Sequence, residues 1–504
     1  MKLRILFILL LVCFVFQFNI FASEEWSNIV TSSGTNNSGT VGRCIASLPN
    51  GDFVIAGLYK ADEINFDAFK VNSISSAAKL VELDRRKIYL ARISNGKFVW
   101  AKTFGSKNDD DNSVINIETD KQGNIYLFGV ASSQVFVDQI VITKKSSKDV
   151  AAFLIKFDEN GNALWGKSIS AFNKLEESSL SVNESGEIII ATSVTQNERK
   201  ITQDKIIYNR PGSYSSAILI RFDTDGNALW IKGVVNEGAG SASIPKNVIL
   251  DKAGNAYLIG EFSGGKAHFG GASLPLPTAI TSSPAYGCVF LAKYDVQGLC
   301  IMATNVGSNL AVSDPRPKAF TVSLSLDESE IYVTGSLSKN FTVWDNDGIK
   351  SLETIQNKAK TTFFISKYDQ DGNFKSIKTG ETKNCYVEVA GFEVTDDGNF
   401  VFIGNFAGNM TDIGDNKKYV STSDRTISRQ KYFPFIIRYD KNWNVINCNI
   451  IEANAETKIN DFCVFQNNIC TIGEFAAEVN VAKLGNNNLS MEKNYSKSFV
   501  WLFK

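Results

Sequence analysis

The stretch Asn160-Gly161-Asn162-Ala163-Leu164-Trp165-Gly166-Lys167 constrains the chain more than any other. It returns almost unchanged as Asp225-Gly226-Asn227-Ala228-Leu229-Trp230-Ile231-Lys232, and more loosely as Asn95-Gly96-Lys97-Phe98-Val99-Trp100-Ala101-Lys102. A turn that recurs with the same strand behind it marks a repeat architecture, in which each unit buries its apolar faces against its neighbours. A second turn carries the repeat through the whole chain, at Gly51, Gly123, Gly186, Gly254, Ser329, Gly398 and Asn467, roughly 70 residues apart. These markers define seven units and leave no stretch for another domain.

Each marker introduces an apolar run such as Phe53-Val54-Ile55-Ala56-Gly57 or Ala256-Tyr257-Leu258-Ile259-Gly260. Such β-branched and aromatic runs between turn residues read as strands buried on both faces. A strand precedes each marker (Val114 to Thr119, Asn247 to Asp251). A third follows later (Phe153 to Asp158, Ile218 to Asp223, Phe290 to Asp295), and the tryptophan-bearing strand is the fourth. Four-stranded units repeated about a ring predict an all-β fold, a seven-bladed β-propeller. The last unit stops at Ser498 to Lys504, a third strand with no fourth, while Glu25-Trp26-Ser27-Asn28-Ile29-Val30 supplies the missing pattern. The N-terminal strand is therefore expected to complete the last blade and close the ring, leaving no open edge there.

Phe290-Leu291-Ala292-Lys293-Tyr294-Asp295, Gly161 to Trp165, Gly254-Asn255-Ala256-Tyr257 and His268-Phe269-Gly270-Gly271 together resemble the SBBP-type β-propeller repeat of secreted bacterial proteins. The resemblance covers essentially the whole mature chain, with Met302 and Ser376 standing where tryptophan is expected. It implies a propeller and an exported bacterial location. It supplies no family-wide catalytic residues.

The chain opens with Lys2 and Arg4, an apolar run from Ile5 to Phe16, and Ile20-Phe21-Ala22 before the polar Ser23. This is the pattern of a signal peptide over 1–22, with the propeller occupying 23–504. Cys13 follows Val12, where lipid attachment wants a small residue. No later stretch reaches the roughly 18 apolar residues of a membrane helix, so no membrane span is expected. A formal charge of −1 over 504 residues lacks the basic footprint of a nucleic-acid binder.

No catalytic, cofactor or metal residues are assigned. His268 is the only histidine, which excludes a histidine-rich zinc site and leaves a histidine-dependent triad without local partners. It reads as a hairpin surface residue. Asp158-Glu159-Asn160-Gly161-Asn162, Asp223 to Asn227 and Asp369 to Asn373 resemble the start of calcium loops but place glycine fourth rather than sixth. Tight turns are the better reading. The same turn departs in spacing from the repeats of quinone-dependent propeller dehydrogenases, whose adjacent cysteine pair is absent. Trp165 and Trp230 are therefore assigned to packing between blades. Thr395 to Phe400 lacks the offsets of a sialidase-type Asp box.

Arg92, Lys156, Arg221, Lys293, Lys367 and Arg438 share one position in the third strands. They are read as paired or solvated cations rather than an anion site. Cys463 and Cys470 flank the Gln466-Asn467 turn and, if that turn has two residues, are directly opposed across the hairpin, a geometry that admits a disulfide. Segments inserted between second and third strands, such as Val135 to Lys148 and Ile201 to Tyr214, are expected to form small hairpins. They leave the same face as the links between blades, and that face is the expected binding surface. Asp109, Asp110, Asp111, Glu176 and Glu177, in the links, are the candidate binding residues on it.

The function expected on this basis is an exported, non-catalytic module that binds protein or glycan at the bacterial cell envelope. The alternative is a carbohydrate-active enzyme, hydrolase or lyase, using carboxylates in the central funnel, because such chemistry needs only two suitably spaced acids.

Overall fold

The computed structural model describes residues 26–33, 39–61, 63–66, 69–72, 86–106, 112–143, 151–170, 177–195, 197–211, 215–238, 240–275, 287–309, 318–337, 340–346, 350–356, 362–413, 419–420, 432–451, 456–475, 481–484, 487–490 and 497–503. The expected signal peptide lies outside them. Among the described residues there is no α-helix, hence no helix long and apolar enough to cross a membrane.

The first sheet sets the pattern: Gly39–Ser47, Phe53–Lys60, Lys87–Ser94 and Lys97–Phe104 pair antiparallel in chain order. The same meander recurs with inner strands Asn112–Thr119, Ser179–Val182, Ala242–Leu250, Lys318–Leu324, Glu381–Val394 and Thr457–Phe465. The corresponding fourth strands are Ala163–Ile169, Ala228–Gly233, Cys300–Asn309, Phe374–Thr379, Val445–Ile450 and Trp26–Ser33. Each inner strand neighbours the next, and Thr457–Phe465 returns to Gly39–Ser47. Four-stranded sheets standing around a common axis make a β-propeller.

Trp26–Ser33 pairs with Lys497–Phe503, joining the two ends of the chain in one sheet. Trp26 lies opposite Leu502, the register in which Trp165 lies opposite Lys156 and Trp230 opposite Arg221. Core packing runs between sheets. Ile125–Ala131 and Ile188–Val194 are buried along their whole length, and one cluster joins Ile55 and Tyr89 of the first sheet to Cys470 and Val500 of the last. Six inner strands carry an extra residue at one equivalent place, namely Arg43, Ile115, Lys246, Phe320, Ala390 and Asn460. Such a bulge bends the strand and re-aims the side chains that follow it.

The inserted segments do form hairpins, but they lie along the outer flank instead of standing up from a face. Val135–Val137 pairs with Ile140–Ile142, and at its tip Asp138, with φ of 50°, accepts from Ala163 N at 2.7 Å and from Lys102 Nζ at 2.9 Å. Asp204 does the same for Ala228 N at 2.9 Å in the next sheet. Two other hairpins, Glu63–Phe66 with Phe69–Asn72 and Asn340–Trp344 with Ser351–Gln356, pair with the fourth strand of the preceding sheet. The cause is the unpaired backbone of each outermost strand, which recruits whatever can satisfy or cover it.

Candidate functional site

Inner strands of neighbouring sheets share no backbone ladder, so their axial edges carry N–H and C=O groups that need partners. Side chains in the part of the inner strand leading to the tight turn supply them, each reaching to an adjacent sheet. Asp461 Oδ2 accepts from Ile45 N at 2.9 Å, and Asn247 Oδ1 accepts from Val322 N at 3.1 Å. Ser181 Oγ accepts from Leu250 N at 3.0 Å, and Glu393 Oε2 from Val464 N at 3.0 Å. Ser323 Oγ donates to Phe392 O at 2.6 Å, and Thr119 Oγ1 donates back to Ser47 O at 2.6 Å. These bonds run around the axis as a set of staples.

They enclose a cavity of about 430 Å³ whose lining includes Glu118, Glu393, Asp461, Asn116, Asn247 and Ser323. It sits in the halves of the inner strands nearest the tight turns, away from the links between sheets. Burial pushes Asp461 up to about 7, against the N–H groups of Ile45 and Phe462 that favour its ionised form. Burial and then the neighbouring Asp461 push Glu393 up to about 8, opposed by Val464 N–H. Glu118 is raised well above the carboxylate range by burial, then by Asp461 and Glu393. Among the described residues, no three His, Cys, Asp or Glu side chains are placed to share a metal ion.

The tight turns keep their aspartates for themselves. Asp158 Oδ1 accepts from Asn160 N and Asn162 N, and Oδ2 from Asn162 Nδ2; Asp223, Asp369 and Asp440 repeat the pattern. The repeated tryptophans pack between sheets, each against the turn glycine of the next. A Cβ on Gly161 would stand 2.9 Å from Trp100 Cη2, and one on Gly226 2.9 Å from Trp165 Cη2. Met302 takes this place against Gly372. After Ser376 the next turn has Trp443 instead of glycine, stacked on Phe400 at 4.4 Å. The loss of one tryptophan is thus offset by its neighbour's turn.

Five of the six repeated cations are engaged within the protein. Arg92 pairs with Asp52 at 2.7 Å and donates to Glu159 O of the next sheet at 2.9 Å. Arg221 pairs with Glu187 at 3.1 Å, and Lys367 with Glu330 at 2.5 Å. Lys156 and Lys293 lie over Tyr126 and Tyr257 at 5.0 and 4.9 Å. For Arg438, burial lowers the pKa, with Asp397 opposing. His268 lies on a hairpin strand with Nε2 at 2.8 Å from Glu237 Oε1.

Of the acidic residues expected in the links, Asp109, Asp110, Asp111 and Glu176 lie outside the described residues. Glu177 is buried and accepts a hydrogen bond from Ser193 Oγ. The structure brings together Glu118, Glu393 and Asp461 instead. Glu118 and Glu393 stand three residues after the bulge and Asp461 one residue after it, and no repeated acidic position marks them in the sequence, because the equivalent places in other units hold Ala, Ile, Gly, Ser, Asn, Thr or Cys.

No protein-family model matches the chain. It is similar to an uncharacterized WD repeat-containing protein of Acanthamoeba polyphaga mimivirus, 24% identical over 218 residues, covering 41% of this chain and 15% of that protein. The chain thus spans about a seventh of that relative's length. Similar solved structures include the Dos1 propeller, with TM-score 0.41, 9% identity and 95% of both chains covered. Another is a protein of unknown function from Dyadobacter fermentans, with TM-score 0.33, 10% identity, and 71% of this chain and 98% of that one covered.

Proposed function

We propose that the chain is a non-catalytic binding scaffold: a ring of seven blades, exported, engaging a protein or glycan at the bacterial cell envelope. The observation that carries the non-catalytic reading is the use made of the axial acids. Asp461 and Glu393 each hold an N–H of the neighbouring inner strand, and all three acids are shifted in the same direction, toward the neutral form. Acid–base chemistry on a glycosidic bond needs two carboxyl groups whose environments drive their pKa values apart. The order of the inner strands about the axis supports seven blades. The likeness of its repeats to the SBBP type supports an exported bacterial setting.

The carbohydrate-active alternative draws on the same cavity, and one experiment separates the two. The mature chain, Ser23 to Lys504, is mixed with soluble envelope polysaccharide fragments while melting temperature and release of reducing or unsaturated ends are followed. A scaffold for glycans melts higher with a fragment and releases nothing, since a ligand of the folded state stabilises by about 2.7 kcal/mol at a hundredfold excess over Kd. Release that Glu393→Gln abolishes would establish the enzyme.

A further inference from the structure

Thr457–Phe465 and Asn468–Phe475 form the inner hairpin of the sheet that joins the chain ends. Its turn residues Gln466 and Asn467 both have positive φ, 47° and 66°, as a two-residue turn of the primed type requires. Phe465 and Asn468 close that turn, and two residues back Cys463 lies directly opposite Cys470. Alternate pairs in an antiparallel ladder repeat the closing pair's geometry, with Cα atoms about 5.5 Å apart, inside the range a disulfide spans. Directly opposed side chains share one face of the hairpin, and both thiols belong to one core cluster between the last and first sheets. Both are free, as are Cys44, Cys288 and Cys300. None of Cys44, Cys288, Cys300 and Cys448 has a cysteine opposite it among the described pairings. Cys463 is also among the residues that line the axial cavity.

We propose that Cys463 and Cys470 are a redox-active pair that closes into a cross-strand disulfide and locks the inner hairpin of the ring-closing sheet. The partner reactant is a small disulfide, RSSR. The Cys463 thiolate attacks it, forming Cys463–S–SR and expelling RS⁻; the Cys470 thiolate then attacks Cys463 Sγ and expels the second RS⁻. Two cysteines lose two electrons and two protons, and RSSR takes up both to leave two RSH. Burial raises both thiols well above their ordinary value, so the reaction accelerates with pH.

The test incubates the mature chain with oxidised glutathione at mildly alkaline pH, alkylates remaining thiols in denaturant, and maps peptides without reduction. The expected product links the peptides of Cys463 and Cys470 with two hydrogens fewer and leaves Cys44, Cys288, Cys300, Cys385 and Cys448 alkylated. Its melting temperature is a few degrees above that of the reduced chain, and dithiothreitol reverses both changes. In Cys470→Ser the second step is blocked, and glutathione stays on Cys463. Full alkylation of both cysteines after oxidation, or a bridge to any other cysteine, overturns the proposal on the wild-type chain alone.

Discussion

Glycine at the turn between third and fourth strands meets two demands at once. Gly226 has φ of 75°, a left-handed conformation that a side chain resists, and its open face receives the Trp165 ring of the preceding sheet. Adding a methyl there strains the backbone and pushes the indole. Gly226→Ala is expected to cost roughly 2 to 4 kcal/mol, the strain and overpacking terms together. In a Trp165→Ala background the indole is gone, and only the backbone part, about 1 to 2 kcal/mol, remains. Urea unfolding of the two single variants and the double variant measures the difference. Simple additivity would mean that ring and glycine do not depend on each other.

At the scale of elements, what the sequence makes legible depends on how many residues enforce it. The four-strand meander is written in every unit, because both faces of the middle strands must be apolar and every turn needs left-handed residues. The pairing of Trp26–Ser33 with Lys497–Phe503 was readable because Trp26 keeps its register. The direction of the inserted hairpins was not. It turns on a single aspartate at a tip, Asp138 or Asp204, finding the first N–H of an outermost strand, and no periodicity announces that contact. The axial staples were missed for a related reason: they join strands far apart in sequence through chemically different residues. Asp138→Ala removes the acceptor of Ala163 N and the partner of Lys102. Its expected effects are a loss of about 1 kcal/mol and faster hydrogen exchange at the Ala163 amide. Unchanged protection there would mean that the hairpin does not guard the edge.

For the whole molecule, the ring is joined where its acids meet. Asp461 ties the last sheet to the first, and Glu393 ties the sixth to the last, while Glu118 faces them across the same cavity. An unfolded chain ionises these groups near pH 4, but the fold keeps them protonated until about 7 for Asp461 and about 8 for Glu393. Over that interval the native state binds more protons than the unfolded one, so stability falls as pH rises. The turn acids act in the opposite sense. Burial alone would raise Asp369, yet Lys375 and the Asn373 contacts hold it at about 2; its contribution is present above pH 4 and is lost as pH falls toward 2. Stability is therefore expected to peak at about pH 4 and to decline from there to about pH 8, as followed by thermal melts in buffers of matched ionic strength. Asp461→Asn keeps an oxygen for Ile45 N but cannot ionise, so its decline on the alkaline side is shallower than that of the natural chain. A variant that falls as steeply as the natural chain would show that Asp461 bears no charge in that range and that another group sets the slope.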